Sequence, residues 1–276
     1  MKLIDLPLWL AMASLPLSGL AETLSPQLDE NGRSGYAEFR QSAPHRAFAI
    51  APGGTWSWRG GMETPELAAQ AASSDCEGHA RRRCLIYTLD DQVVFKPRDW
   101  AQAWRPYPSA AQVARAPAGV KPGQRFPDLV WHDGGGRTHK VSEQRGNVVL
   151  LHFWGSWCPP CQREMPDLSK LYQRTKAAPN LRFVFLPVRE TAATSRAWLR
   201  GRGLDLPVAD AGARAAKEGA FTLADGNTLR DRDLARAFPT TYILDRNGGV
   251  LFAHVGPVTD WPALEPLLLD AARAQD

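Results

Sequence analysis

Val148–Trp154 is a near-continuous apolar run, bounded by Gly146-Asn147 before it and Gly155 after it. Such a run predicts a strand buried on both faces. Beyond it, Met165, Leu168, Leu171 and Tyr172 recur at helical spacing until Ala178-Pro179, so a helix follows the strand directly. Alternation then continues. Leu181 to Leu186 reads as a strand, Thr191 to Leu199 as a helix and Leu206-Pro207-Val208 as a short strand. Thr240 to Leu244 and Val250 to Ala253 form a hairpin around Asn247-Gly248, and residues 261–272 close as a helix. Leu129-Val130-Trp131 supplies an edge strand ahead of this series.

The first half has a shorter grammar. Ala47–Ile50 and residues 55–58 predict two strands around Pro52-Gly53-Gly54, and Thr64 caps a helix that starts at Pro65 and runs to Cys76. Residues 84–87 and 93–95 make a hairpin around Asp90-Asp91. The expected fold class is therefore α/β, a mixed sheet flanked by helices, preceded by a small α+β unit stapled by a Cys76–Cys84 disulfide. Between the two, residues 97–122 are rich in Pro, Ala and Arg without a sustained apolar period, which predicts a semi-extended linker.

At 276 residues the chain is long enough for two cores. Its net charge of +4, from 33 basic and 29 acidic residues, is too small a bias to suggest a nucleic-acid partner. The N-terminus pairs Lys2 with a mostly apolar stretch and ends in Gly19-Leu20-Ala21, the pattern of a secretory signal peptide over residues 1–21. A retained membrane anchor is the alternative, although the stretch is interrupted by polar residues and prolines. The expected division is then 1–21 signal peptide, 22–96 N-terminal unit, 97–122 linker and 123–276 mixed-sheet domain, exported to the periplasm or beyond. Four cysteines suit an oxidising compartment, where closing the Cys76–Cys84 loop would contribute about 2 to 3 kcal/mol.

Cys158 and Cys161 carry the candidate chemistry. They stand at the strand-to-helix junction, where unpaired amides and the positive end of the helix dipole favour a thiolate on Cys158. Pro159 and Pro160 suit the first helical turn. Cys161, one turn further, is expected to be the more buried and to resolve a mixed disulfide. A zinc knuckle would need a second close pair of ligands, and haem attachment would need a histidine where Gln162 stands. An inert structural disulfide is the remaining alternative; so short a ring is poorly suited to that role.

Residues 153–161, Phe-Trp-Gly-Ser-Trp-Cys-Pro-Pro-Cys, together with Pro166 and residues 238–245, Phe-Pro-Thr-Thr-Tyr-Ile-Leu-Asp, resemble the thioredoxin superfamily, and within it the exported TlpA/ResA-like thiol:disulfide oxidoreductases. The resemblance spans residues 123–272. It implies a thioredoxin-like fold, a redox-active disulfide in place of any cofactor or metal, and a protein thiol or disulfide as substrate. It also implies an upstream thiol electron donor, a membrane protein among the candidates, and electron flow toward reduction. Pro239 matches the family's cis-proline facing the two sulfurs, and Trp157, Phe238, Pro239 and Thr240 would line the substrate edge. Glu164 matches a family carboxylate near the resolving cysteine, with a solvated surface glutamate as the alternative.

Two features depart from the family pattern. His152 stands where thioredoxins hold a buried aspartate, which suggests a core histidine or a proton relay. Residues 217–236 are longer and more polar than usual, with a hairpin around Asp225-Gly226 that is either a tolerated insertion or a specificity element. A reading of another class makes the chain a partner-binding protein whose N-terminal unit docks and whose cysteine pair is auxiliary or regulatory. Metal handling by Cys158, Cys161 and His254 is a third.

Overall fold

The computed structural model describes residue 28 and residues 30–274, apart from 53, 81–82, 215–218 and 259. Residues 1–21, the expected signal peptide, lie outside the described residues. Among the described residues no helix is long and apolar enough to cross a membrane.

The N-terminal unit opens with α1 (Glu30–Gln41), continues through β1 (Ala47–Ile50), β2 (Trp56–Arg59) and α2 (Pro65–Ala80), and ends in β3 (Leu85–Leu89) and β4 (Gln92–Val93). The four strands form one antiparallel sheet in the order β2-β1-β3-β4. Strand β1 is buried along its whole length because its two faces serve different neighbours. Phe48 packs edge-on against Tyr36 and Phe39 of α1, whereas Ala47 and Ala49 meet Ala68, Ala72 and Cys76 of α2. Small residues on that second face let α2 approach, and the Cys76–Cys84 disulfide ties its end to β3.

Helix α1 has no counterpart in the sequence expectation. Gly32 and Gly35 weaken its intrinsic propensity, yet they are what its packing requires: a Cβ at Gly35 would overlap the Trp56 indole. Residues 97–122 also differ from a semi-extended linker, since they hold α3 (Pro97–Trp104) and α4 (Ala110–Arg115). Both helices are too short to show an apolar period. Ser109 and Gln112 close α4 with a reciprocal capping box. Trp104 is buried in the same core that contains Tyr36, Phe39, Leu264 and Leu267, so the two halves share one apolar interior. Arg105 and Tyr107 both bond to Asp270 beside that junction.

The second half contains β5 (Val130–His132), β6 (Thr138–Lys140), β7 (Val148–Trp154), α5 (Pro159–Thr175), β8 (Leu181–Pro187) and α6 (Ala192–Arg200). It continues through β9 (Ala220–Thr222), β10 (Thr228–Arg230), α7 (Asp231–Leu234), β11 (Thr240–Leu244), β12 (Val250–Val255) and α8 (Glu265–Arg273). The central sheet is mixed, with order β12-β11-β7-β8; β7 and β8 run parallel and the other pairs antiparallel. Strand β7 is its inner axis. Val148, Leu150 and Trp154 face a core completed by α5, α6 and α8, while Val149, Leu151 and Phe153 face a second core.

That second face is covered by the β5–β6 and β9–β10 hairpins and by α7 rather than by long helices. The expected edge strand at residues 129–131 pairs with β6 and bridges from Leu129 to Leu223, so it belongs to this cover and not to the central sheet. Residues 206–208 make only a bridge from Val208 to Phe185. Pro207 supplies no N–H to extend it.

Candidate active site

Strand β7 delivers the chain to Gly155, and a tight turn through Ser156 and Trp157 places Cys158 at the N-cap of α5. A Cβ at Gly155 would overlap the Trp157 indole, so this turn needs glycine. Pro159 and Pro160 occupy the first two helical positions. Cys158 and Cys161 are joined as a disulfide, with Cα atoms 5.3 Å apart. The Cys161 amide donates to Cys158 Sγ at 3.3 Å. This places the helix-end field directly on the first sulfur. Cys158 keeps 3% of its surface exposed and Cys161 none, which sets the order in which a partner can reach them.

Across from the sulfurs, the Phe238-Pro239 peptide bond is cis. The Phe238 carbonyl oxygen lies 3.5 Å from Cys158 Sγ. Thr240 begins β11, pairs with Phe153 and donates its hydroxyl to the Ala237 carbonyl at 2.6 Å, bracing the turn. Trp157 is 44% exposed, packs edge-on against Phe238 at 5.7 Å and donates its indole N–H to the Val188 carbonyl. Trp157, Cys158, Phe238, Pro239 and Thr240 therefore come together.

Glu164 lies behind this surface. It is 5% exposed, which removes the solvated alternative. Its Oε2 accepts the Val258 amide at 2.9 Å and its Oε1 is 3.4 Å from His152 Nε2. Position parity on β7 accounts for the meeting: residue 152 shares the face of Leu150 and Trp154, under α5. His152 is fully buried, pairs through Nδ1 with the Thr241 hydroxyl at 3.0 Å, and sits edge-on to Phe185 and Trp261. Burial pushes the Glu164 carboxyl up to about 8 and the His152 imidazole down to about 3, so both groups prefer to be neutral near pH 7. Among the described residues Glu164 has no hydrogen bond to either sulfur.

His254 lies on β12, buried and stacked on Phe252, with its Nε2 3.3 Å from the Pro257 carbonyl. Among the described residues no three His, Cys, Asp or Glu side chains gather as a metal-binding group.

Three charged residues around the site escaped the sequence reading. Glu190 accepts the Ser156 amide at 2.7 Å and so ties down the turn before Cys158. Its neighbour Arg189 donates Nε to Asp231 at 2.7 Å, and Asp231 is fully buried. Burial works against the Asp231 charge, but Arg189 and the Gly219 amide outweigh it and hold the carboxyl below its ordinary value. One signal was available: Arg189 and Glu190 follow the C-terminal end of the strand parallel to β7, where open α/β sheets place their ligands.

Comparison with known proteins gives a consistent family. Residues 121–268 match the redoxin family. The thioredoxin-like protein YneN of Bacillus subtilis is 31% identical over 155 residues, covering 55% of this chain and 82% of that protein. The thiol-disulfide oxidoreductase ResA of Geobacillus kaustophilus is 31% identical over 140 residues, covering 51% of this chain and 72% of its own length. Among solved structures, a secreted thiol-disulfide isomerase from Corynebacterium glutamicum is 24% identical with a TM-score of 0.41, covering 54% of this chain and 85% of the other.

Proposed function

The chain belongs to the redoxin family and is homologous to thiol-disulfide oxidoreductases, and from that premise we propose that it is an exported reductase of protein disulfides. The observation that carries this reading is a sulfur pair at a helix N-terminus, with the outer sulfur hydrogen-bonded by an amide and bordered by a cis-proline turn. Reduced Cys158, as thiolate, attacks one sulfur of a client disulfide. The client's other sulfur leaves as a thiolate and takes a proton, and a mixed disulfide remains on Cys158. Cys161 then loses its proton and attacks Cys158 Sγ. The client is released fully reduced, and the Cys158–Cys161 bond holds the two electrons' worth of oxidation until an upstream thiol donor removes it.

Trp157, Phe238, Pro239 and Thr240 form the edge on which an extended client segment lies. Glu164 is the base for the Cys161 proton, raised by burial toward the working pH. His152 faces that carboxyl at 3.4 Å and, held neutral by burial, leaves the proton on Glu164. The Cys76–Cys84 bridge is structural, and the unit before residue 97 is a separate part of the chain that shares the catalytic domain's core. Export suits the Cys76–Cys84 bridge, since a structural disulfide persists in an oxidising compartment.

A Cys161→Ala variant produced in the native compartment tests the reading. It accumulates client proteins linked through Cys158, visible as reductant-sensitive bands that are absent from Cys158→Ala/Cys161→Ala. Absence of any linked client in the single variant contradicts the reading.

A further inference from the structure

Arg189 carries three unusual features at once. It is a non-glycine residue at φ +63°, a backbone region that costs an L-residue of its type about 1 to 2 kcal/mol. Its guanidinium lies 5.2 Å from the Phe238 ring centroid and 5.9 Å from that of Trp157, the two aromatic residues beside Cys158. Its Nε is held by Asp231, a wholly buried carboxylate from the 217–236 segment. The strained backbone is fixed in turn by the Arg189 amide, which donates to the Ala213 carbonyl at 2.7 Å. Such strain persists only where surrounding contacts over-determine it, and it concentrates at working sites.

Asp231 uses one edge of the guanidinium. Among the described residues Nη1 and Nη2 have no hydrogen-bond partner, and the side chain keeps 15% of its surface open. Four N–H donors on a planar cation are therefore presented at the rim of the aromatic pair. That geometry matches a carboxylate better than a neutral carbonyl or a cation.

We propose that Arg189, anchored by Asp231, is a specificity-determining residue that pairs with an acidic side chain flanking the cysteine of a client disulfide. The proposal rests on the reductase reading above and adds the charge of its substrate segment. It also gives the 217–236 segment a function: Asp231 heads α7 and bonds the Gly219 amide at 3.1 Å, so the segment is the mount that aims the guanidinium. A surface insertion without a role would not need to bury an aspartate.

The test uses the full chain and three synthetic disulfide peptides that differ at the residue next to one cysteine, which is Glu, Gln or Lys. The wild type is expected to reduce the Glu peptide with a kcat/KM about fivefold above the Lys peptide, mostly through KM, as for a partly exposed ion pair. Arg189→Gln removes that preference, so that its kcat/KM values for the three peptides agree within about twofold of one another. Raising ionic strength on the wild type shrinks the preference, and this arm stands even if the variant fails to fold. Equal rates for the three peptides in the wild type, or an undiminished preference in Arg189→Gln, overturn the proposal while leaving the reductase reading intact. An equal loss on all three peptides assigns Arg189 a purely structural role and also overturns it. Failure of the wild type to reduce any peptide removes the reductase reading and this inference together.

Discussion

Burial converts two ordinary polar residues, His152 and Glu164, into a neutral pair under the active-site helix. For Glu164 the folded protein holds a proton that the unfolded chain releases at its ordinary 4.5, so stability falls as pH rises from about 4.5 to about 8. His152 has the opposite sign. Unfolded chain takes up a proton below 6.5 that the folded chain refuses until about 3, so stability falls as pH drops through that window. Glu164→Gln should thus gain stability relative to wild type as pH is raised from 5 to 8, read by urea unfolding at each pH. In turnover the same variant should lose the inflection near pH 8 and slow client release by about a hundredfold, measured by stopped-flow decay of a mixed disulfide. An unchanged pH profile would leave Glu164 without a part in proton transfer. Residue-scale legibility was uneven. Cys158 and Cys161 could be placed by spacing and Glu164 by resemblance, whereas the pairing of Glu164 with His152 needed the register of β7 under α5, which neither contains.

At the scale of elements, those with an apolar run, a period or a turn signal were readable, down to the four residues of β1, and α1, α3 and α4 were not. Val148–Trp154 and Pro159–Thr175 declare themselves by composition and period, and their junction is the site. Helix α1 is hidden by Gly32 and Gly35, whose value lies in the approach of Trp56 and is invisible to local propensity. Helices α3 and α4 are stabilised by a capping box and by distant partners such as Asp270, so a window along the chain sees only Pro, Ala and Arg. The Cys76–Cys84 staple belongs to this scale. Replacing both cysteines by alanine should lower stability by about 2 to 3 kcal/mol in denaturant unfolding. Disulfide exchange at Cys158 should be unaffected, and a loss of exchange at full folded population would give the N-terminal pair a redox role instead.

For the whole molecule, the shared core through Trp104 and the bonds from Arg105 and Tyr107 to Asp270 join the N-terminal unit to the catalytic domain. The face of the sheet away from α5 is closed by hairpins, and one of them leads into α7 and the Asp231 mount for Arg189. Fold class and the cysteine pair were legible from patterning and resemblance; this joint and this mount depend on contacts between residues far apart in the chain. All of it serves to present one sulfur to solvent in the field of a helix end. The most direct measurement is the pH dependence of Cys158 alkylation in the fully reduced protein, followed by mass spectrometry. The expected half-maximal rate lies well below the pH of about 8.5 of a free cysteine. A midpoint at or above that value would show that the amides at the start of α5 do not hold Cys158 as a thiolate, and the proposed mechanism would fail at its first step.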